Sequence, residues 1–357
     1  MAATPLDYKS AGLDLDVYED TIARIGRLVK KTHGPGVLDG FGGFASLFAL
    51  DINRWLFSGG YKKPVLVTCT DGVGTKLKIA ALANKFDTVG IDLVAMSVND
   101  CLCCGAQPLV FLDYLAMPSD DPALAEQLVT GMVEGCQQAG CSLTGGETAI
   151  LPDFYAPGDF DMAGFAVGVV ERDDVINGRH IQVGDVVLGL ASTGLHSNGY
   201  SLARKIVFDR AKLGIHDYVA ELGKTVGEEL LTPTRIYVKP VQDVLKHYPV
   251  KKKVVRGLAH ITGGGIVDNL PRVLPPNRRA FVRRDAWTPA AVFSWLQKLG
   301  DVAEAEMDRV FNGGIGFVMI VAPTFAESIK KRLLKEGVPT YIIGDIREGE
   351  AGVEWVA

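Results

Sequence analysis

No window of the 357-residue chain reaches the roughly 18 uninterrupted apolar residues of a membrane span. The first residues, Met-Ala-Ala-Thr-Pro-Leu-Asp-Tyr-Lys, hold no apolar core of signal-peptide length. Both absences lead to the expectation of a cytoplasmic protein with no membrane partner. Long basic runs are also missing, and the formal net charge of −5 argues against a general nucleic-acid binder. The six cysteines form no convincing framework: Cys101, Cys103 and Cys104 crowd one helix, Cys69 lies in a strand, and Cys136 and Cys141 are five apart. No histidine follows at zinc-finger spacing, so free thiols are expected. The chain has no G-x-x-x-x-G-K-[ST] segment, no G-x-S-x-G elbow and no H-E-x-x-H helix, which argues against P-loop, hydrolase and zincin chemistry.

What is present is glycine and apolar residues. Forty-one glycines and 48% hydrophobic residues fit a globular α/β protein rich in tight turns. The length suits two domains of ordinary size, each with its own core. Helical periodicity covers about 14–31, 75–85, 88–104, 122–140, 231–246 and 324–336. Strands are expected near 65–70, 108–117, 162–171, 186–191, 254–261, 317–322 and 340–344. Strands alternating with helices give layered α/β domains. The polar, turn-rich stretch 172–185 divides the chain into expected domains 1–172 and 173–357.

One strand-to-helix turn concentrates the chemistry. The run Val65–Cys69 ends in Thr70-Asp-Gly-Val-Gly-Thr-Lys76, which packs a carboxylate (Asp71), two glycines (Gly72, Gly74), a hydroxyl (Thr75) and an ammonium (Lys76) together. Glycine lets a ligand approach the backbone, and the following helix N-terminus favours anions. A carboxylate would repel a bare phosphate, so a divalent cation between them is expected. The expected helix 88–104 carries Asp92, Asn99 and Asp100. Asp92 and Asn99 are seven apart and share a face. Polar groups on so apolar a helix need partners, either a cation or a hydrogen-bond network.

Further turns repeat the pattern. Thr144-Gly-Gly-Glu-Thr148 places Gly145, Gly146 and Glu147 after a short strand. Gly40, Gly42 and Ala45 match G-x-G-x-x-A, but no strand precedes them, so a glycine-rich flap including Gly42 and Gly43, or a plain surface loop, is expected instead. The loop Ser192–Ser201 gathers hydroxyls with His196, Ser197 and Asn198, and Thr262-Gly-Gly-Gly265 includes Gly263 and Gly264. Together these residues suggest a phosphate site built from separated turns, with carboxylates on Mg²⁺ and Lys76 as counter-charge. Such a site favours phosphoryl transfer. An enzyme using ATP and Mg²⁺ is expected, its acceptor left open by the residues alone.

These motifs resemble the phosphoribosylformylglycinamidine cyclo-ligase (aminoimidazole ribonucleotide synthetase) family. The resemblance rests on Tyr8–Asp16, Thr70–Lys76, Gly90–Asp100, Thr144–Thr148, His196–Ser201, Leu231–Lys239, His260–Gly265 and Phe311–Gly316, in the family's order over nearly the whole chain. It implies two α/β domains with mixed sheets, the N-terminal sheets pairing across a homodimer. It also implies an ATP-dependent step of purine synthesis, in which formylglycinamidine ribonucleotide is activated as a phosphate ester and closes to an imidazole. Carried over by position, Asp71 and Asp100 would hold Mg²⁺, with Asn99 and Asp92 nearby. Gly72, Gly74, Thr75 and Lys76 would contact phosphates, with Gly145, Gly146 and Glu147 at the same site. His196, Ser197, Asn198, Gly263 and Gly264 would face the substrate. His196, Lys76 and Asp100 are the catalytic candidates, His196 for proton transfer or for stabilising the leaving phosphate. Selenophosphate synthetases and thiamine-monophosphate kinases are the rival enzymes, and a non-catalytic nucleotide-binding protein is the rival of another class. Two departures stand out: Gly26 occupies a position where the family often has lysine, and residues 51–63 look like an inserted surface loop.

Overall fold

The computed structural model describes residues 15–35, 37–39, 47–48 and 61–356. The expected flap with Gly42 and Gly43, and most of the 51–63 insert, lie outside the described residues.

Two mixed sheets organise the chain, each with helices packed on it. After α1 (Leu15–Val29), the first sheet is formed by β1 (Pro64–Gly72), β2 (Gln107–Met117), β3 (Ser142–Ile150) and β4 (Asp161–Glu171). Their order is β1-β4-β2-β3. Both pairs involving β4 are antiparallel, whereas β2 and β3 are parallel. A parallel pair needs a crossover, and a helix supplies it here. Between β1 and β2 come α2 (Leu77–Ala83) and α3 (Val89–Cys103), and the crossover is α4 (Pro122–Ala139). Asp121 caps α4 by accepting from Ala123 N and Leu124 N at 3.1 and 3.0 Å, with proline at the first helical position. Helices α3 and α4 meet through glycines: a Cβ on Gly90 would lie 2.3 Å from the Leu128 carbonyl. That contact brings α3, and the polar groups it carries, tightly into the interior.

Alternation along β1 gives the first sheet two unlike faces. One is covered by α3. The other carries Leu66 and Phe165, which are 56% and 43% exposed.

The second sheet comprises β5 (Val186–Ala191), β6 (Val255–His260), β7 (Arg278–Arg283), β8 (Ile315–Val321), β9 (Thr340–Glu348) and β10 (Gly352–Val356). The order is β6-β8-β5-β9-β7-β10, with only β7 and β10 parallel. Strand β8 is buried along its whole length. Its Phe317, Met319 and Val321 join one apolar cluster while Val318 and Ile320 join another, so both faces of this sheet are covered. This explains why β8 reads as a continuous apolar run rather than an alternating one. The first of those clusters also contains Leu93 and Val98 of α3, so one core runs through both sheet units. The segment 172–185 connects the two sheets.

One expected helix begins late. Periodicity placed it from Leu231, but α5 spans Val238–His247. Residues 232–237 form no regular element and are instead tied to α3: Thr234 N and Tyr237 N donate to Asp92 and Asn99, and Asn99 Nδ2 donates to Arg235 O. Pro233 also disfavours a helix through its predecessor. Tertiary hydrogen bonds override local periodicity there.

Candidate active site at the domain junction

Strand β1 ends at Asp71 and Gly72, where Gly72 N donates to Asp71 Oδ1 at 2.8 Å. Burial raises the Asp71 carboxyl above the ordinary range, and the nearby Asp100 charge raises it further; the Gly72 N–H and His260 oppose this. Asp100 sits near the end of α3, and its Oδ1 is 2.8 Å from Nδ1 of His260, the last residue of β6. Asp71, Asp100 and His260 therefore converge from three elements of the two sheet units. Two neighbouring carboxylates, one of them held by an imidazole, match the small number of protein ligands that Mg²⁺ needs. That ion is commonly held by one or two carboxylates, with phosphate oxygens and water completing its shell. Among the described residues, no group of three or more histidine, cysteine, aspartate or glutamate side chains is placed to hold a metal ion by itself.

In the sheet register Asp71 lies opposite Gly164, Gly164 opposite Asp113, and Asp113 opposite Gly146. Asp113 was invisible in the sequence, where it interrupts an apolar strand without a glycine turn beside it. Burial pushes its carboxyl up to about 7. Gly146 makes room for it, since a Cβ there would lie 2.3 Å from Asp113 Oδ1. Gly145 is half-buried, and Glu147 is exposed beyond it.

After Asp71 the chain turns through Gly74 (φ 67°). Gly74 and exposed Thr75 line a cavity of about 270 Å³ with Lys78, Asp159 and Asp161. Thr75 Oγ1 is also 3.2 Å from Ser201 Oγ, so this turn meets the second half of the chain. The ammonium on that cavity belongs to Lys78, which is ion-paired with Asp159.

Lys76, expected at a phosphate, points the other way. Its side chain is fully buried, and its Nζ donates to Asp92 Oδ1 at 2.9 Å, His196 O at 2.9 Å and Thr232 O at 2.8 Å. Asp92 and Asn99, expected near a metal, are likewise engaged within the protein. Asp92 Oδ1 accepts from Thr234 N and Oγ1 at 2.7 and 2.6 Å. Asn99 uses both ends of its amide on Arg235 O and Tyr237 N, each at 2.9 Å. A hydrogen-bond network within the protein thus partners these polar groups.

The His196 loop is clamped against the same network. His196 has φ 62°, which non-glycine residues rarely adopt. Its Nε2 accepts from Thr193 N at 3.2 Å and Arg235 N at 3.4 Å, which assigns the ring proton to Nδ1. Burial holds this imidazole well below its usual range, and His260, Lys76 and Arg235 add to that effect. The ring is thus a neutral donor through Nδ1 rather than a ready proton carrier. Both His196 Nδ1 and His260 Nε2 are buried without a hydrogen-bond partner among the described residues. Ser197 Oγ turns inward to Thr234 Oγ1 at 3.0 Å. Asn198 lies beside Gly263, where a Cβ would come 3.5 Å from its Oδ1. Gly264 follows at φ 95°, and Asn269 Nδ2 fixes the turn by donating to Gly263 O and Gly265 O at 3.0 and 2.9 Å. The one sequence signal that marks His260 is its place at the end of a strand beside a glycine turn, the same setting as Asp71. The thiols remain free; Cys101 and Cys104 stand three apart on and just beyond α3, with neither bonded to the other.

Comparison with known proteins agrees with this architecture. Residues 60–170 match the model of the AIR synthase related protein N-terminal domain, and residues 182–356 that of its C-terminal domain. A phosphoribosylformylglycinamidine cyclo-ligase of Citrifermentans bemidjiense is 51% identical over 356 residues, covering 100% of this chain and 99% of the relative. Another, from Carboxydothermus hydrogenoformans, is 51% identical over 348 residues and covers 98% of each chain. Among solved structures, a thiamine-monophosphate kinase from Stenotrophomonas maltophilia superposes with TM-score 0.64 at 18% identity, covering 93% of this chain and 95% of its own. The hydrogenase maturation protein HypE in complex with ATP gives TM-score 0.62 at 16% identity, with 92% and 89% covered. At such identities these two likenesses concern the fold. The full-length relatives and the two matched domain models go further, and on them the chain belongs to the phosphoribosylformylglycinamidine cyclo-ligase family.

Proposed function

We infer that the protein is the ATP-dependent ligase that closes formylglycinamidine ribonucleotide to aminoimidazole ribonucleotide, releasing ADP and phosphate. The structural observation that carries the reading is the convergence of Asp71, Asp100 and His260 at the domain junction, within reach of the His196 loop. An amide oxygen is a poor leaving group. Transfer of the γ-phosphoryl group to the formyl oxygen converts it into a phosphate ester. The amidine nitrogen then attacks that carbon, the C–O bond breaks as phosphate leaves, and loss of a proton from nitrogen completes the ring.

Each part of the site has a task in this chemistry. Asp71 and Asp100 would hold Mg²⁺, which supplies charge neutralisation for the phosphates. Gly72, Gly74 and Thr75 offer an open turn before α2 for phosphate oxygens; Gly145, Gly146 and Glu147 are carried by β3 at the opposite edge of the sheet, with β4 and β2 between. Lys78 is the ammonium closest to that turn's cavity. His196 Nδ1–H can stabilise an oxygen that gains charge without giving up its proton. Asn198, Gly263 and Gly264 border the same side, and His260 orients Asp100. In this reading residues 1–172 carry the metal and nucleotide groups, and 173–357 carry the substrate side.

We also propose a homodimer in the cytoplasm. The exposed sheet face with Leu66 and Phe165 supports the dimer, because an uncovered apolar sheet face favours burial against another surface. The test of function is incubation with formylglycinamidine ribonucleotide and Mg-ATP. Aminoimidazole ribonucleotide should appear in step with ADP. Phosphorylation of thiamine monophosphate or formation of selenophosphate, with no imidazole product, would overturn the reading.

A further inference from the structure

We propose that the buried Lys76–Asp92 pair is a positioning device for His196. The proposal rests on the reading of the His196 loop as the substrate side. Both members of the pair are fully buried, and both reach across the domain junction. Lys76 Nζ donates to the His196 carbonyl and to Thr232 O, while Asp92 accepts from Thr234 N and Oγ1. The residue after Thr234 is Arg235, whose N–H donates to His196 Nε2.

His196 is consequently gripped from two directions. Lys76 fixes its main-chain carbonyl, and Asp92 fixes the segment that supplies one donor to its ring. The left-handed backbone at His196 is uncommon for a residue other than glycine, and surrounding contacts hold it in place. The pair and the Thr193 N–H provide those contacts. The outcome is a single ring orientation and a single tautomer, with Nδ1–H as the uncommitted donor.

The alternative task for Lys76, contact with a nucleotide phosphate, makes a different demand. An ammonium has three N–H donors, and all three have acceptors inside the protein. Reaching a phosphate would break those bonds and release the His196 loop. As a positioning residue Lys76 acts on turnover; as a phosphate ligand it would act on nucleotide affinity.

The experiment compares Lys76→Met, Thr234→Val and Thr234→Ser in the full chain, each checked for folding by thermal melting. Steady-state kinetics are combined with ¹⁵N spectra of ring-labelled histidine. The unaltered protein should show His196 as one neutral tautomer protonated at Nδ1. Lys76→Met should lower kcat about 100-fold with KM for ATP changed less than about threefold. Thr234→Val should lower kcat about tenfold and shift the His196 ring signals toward a tautomer mixture, and Thr234→Ser should restore both. If Lys76→Met does not fold, the Thr234 pair decides alone. A rise of about tenfold or more in KM for ATP with unchanged ring signals, or unchanged kcat in Thr234→Val, would overturn the proposal. The ring spectra need no substrate, so they test positioning even if the ring-closure assignment fails.

Discussion

Asp100 Oδ1 stands 2.8 Å from His260 Nδ1, joining α3 of the first sheet unit to the strand that leads into Thr262-Gly-Gly-Gly265 of the second. Asp100 is 41% exposed while the His260 side chain is only 2% exposed, so a buried ring holds an accessible carboxylate. That arrangement is how proteins orient a metal ligand from behind.

His260→Ala should therefore raise the Mg²⁺ concentration needed for half-maximal rate by about 10–100-fold. His260→Asn keeps an N–H donor on a short side chain and should recover part of the loss. Initial rates against Mg²⁺ at fixed ATP check this. An unchanged Mg²⁺ dependence in His260→Ala would remove the orienting role.

A pH experiment follows from Asp113. Its folded-state carboxyl titrates at about 7, far above an unfolded aspartate. Between those values the folded chain holds a proton that the unfolded chain has lost, so stability falls as pH rises through this window and levels off above it. Asparagine has no such proton to lose. Asp113→Asn should therefore gain stability relative to the unaltered chain as pH rises from 4 to 8, by at most about 4 kcal/mol at the upper end. Urea unfolding without nucleotide at several pH values measures the difference. A constant difference across that range would mean that Asp113 titrates normally.

Much of this arrangement was legible in the sequence, and the exceptions share a cause. Asp71 and the glycines after it were visible because turn chemistry and strand composition are local. The inward direction of Lys76 was not: Thr75 is exposed and Lys76 buried, one residue apart in a single turn, and only the opposing chain decides which of them meets solvent. The apolar setting of Asp92 and Asn99 shows that they need partners, but apart from Lys76 those partners lie more than 130 residues away. The same distant bonds delay the start of α5, so its periodicity from Leu231 was a sound local reading overruled by tertiary contacts. Asp113 carried no local signal at all. Its meaning comes from register across β4 and β3.

The outer face of the first sheet gives a prediction about assembly. Leu66 and Phe165 are large apolar side chains left 56% and 43% exposed in the single chain. Replacing both with glutamate should convert a dimer to a monomer, with the far-ultraviolet circular dichroism preserved. Sedimentation velocity at micromolar concentration reads the change. Identical sedimentation of the variant and the unaltered protein would place any interface elsewhere.

Activation of the amide oxygen as a phosphate ester leaves an isotopic record in the products. Formylglycinamidine ribonucleotide carrying ¹⁸O in its formyl group is turned over with Mg-ATP, and the released inorganic phosphate is examined by mass spectrometry. Each phosphate should carry one ¹⁸O atom, because the formyl oxygen leaves bonded to phosphorus. Phosphate without ¹⁸O, formed alongside the imidazole product, would contradict activation as a phosphate ester.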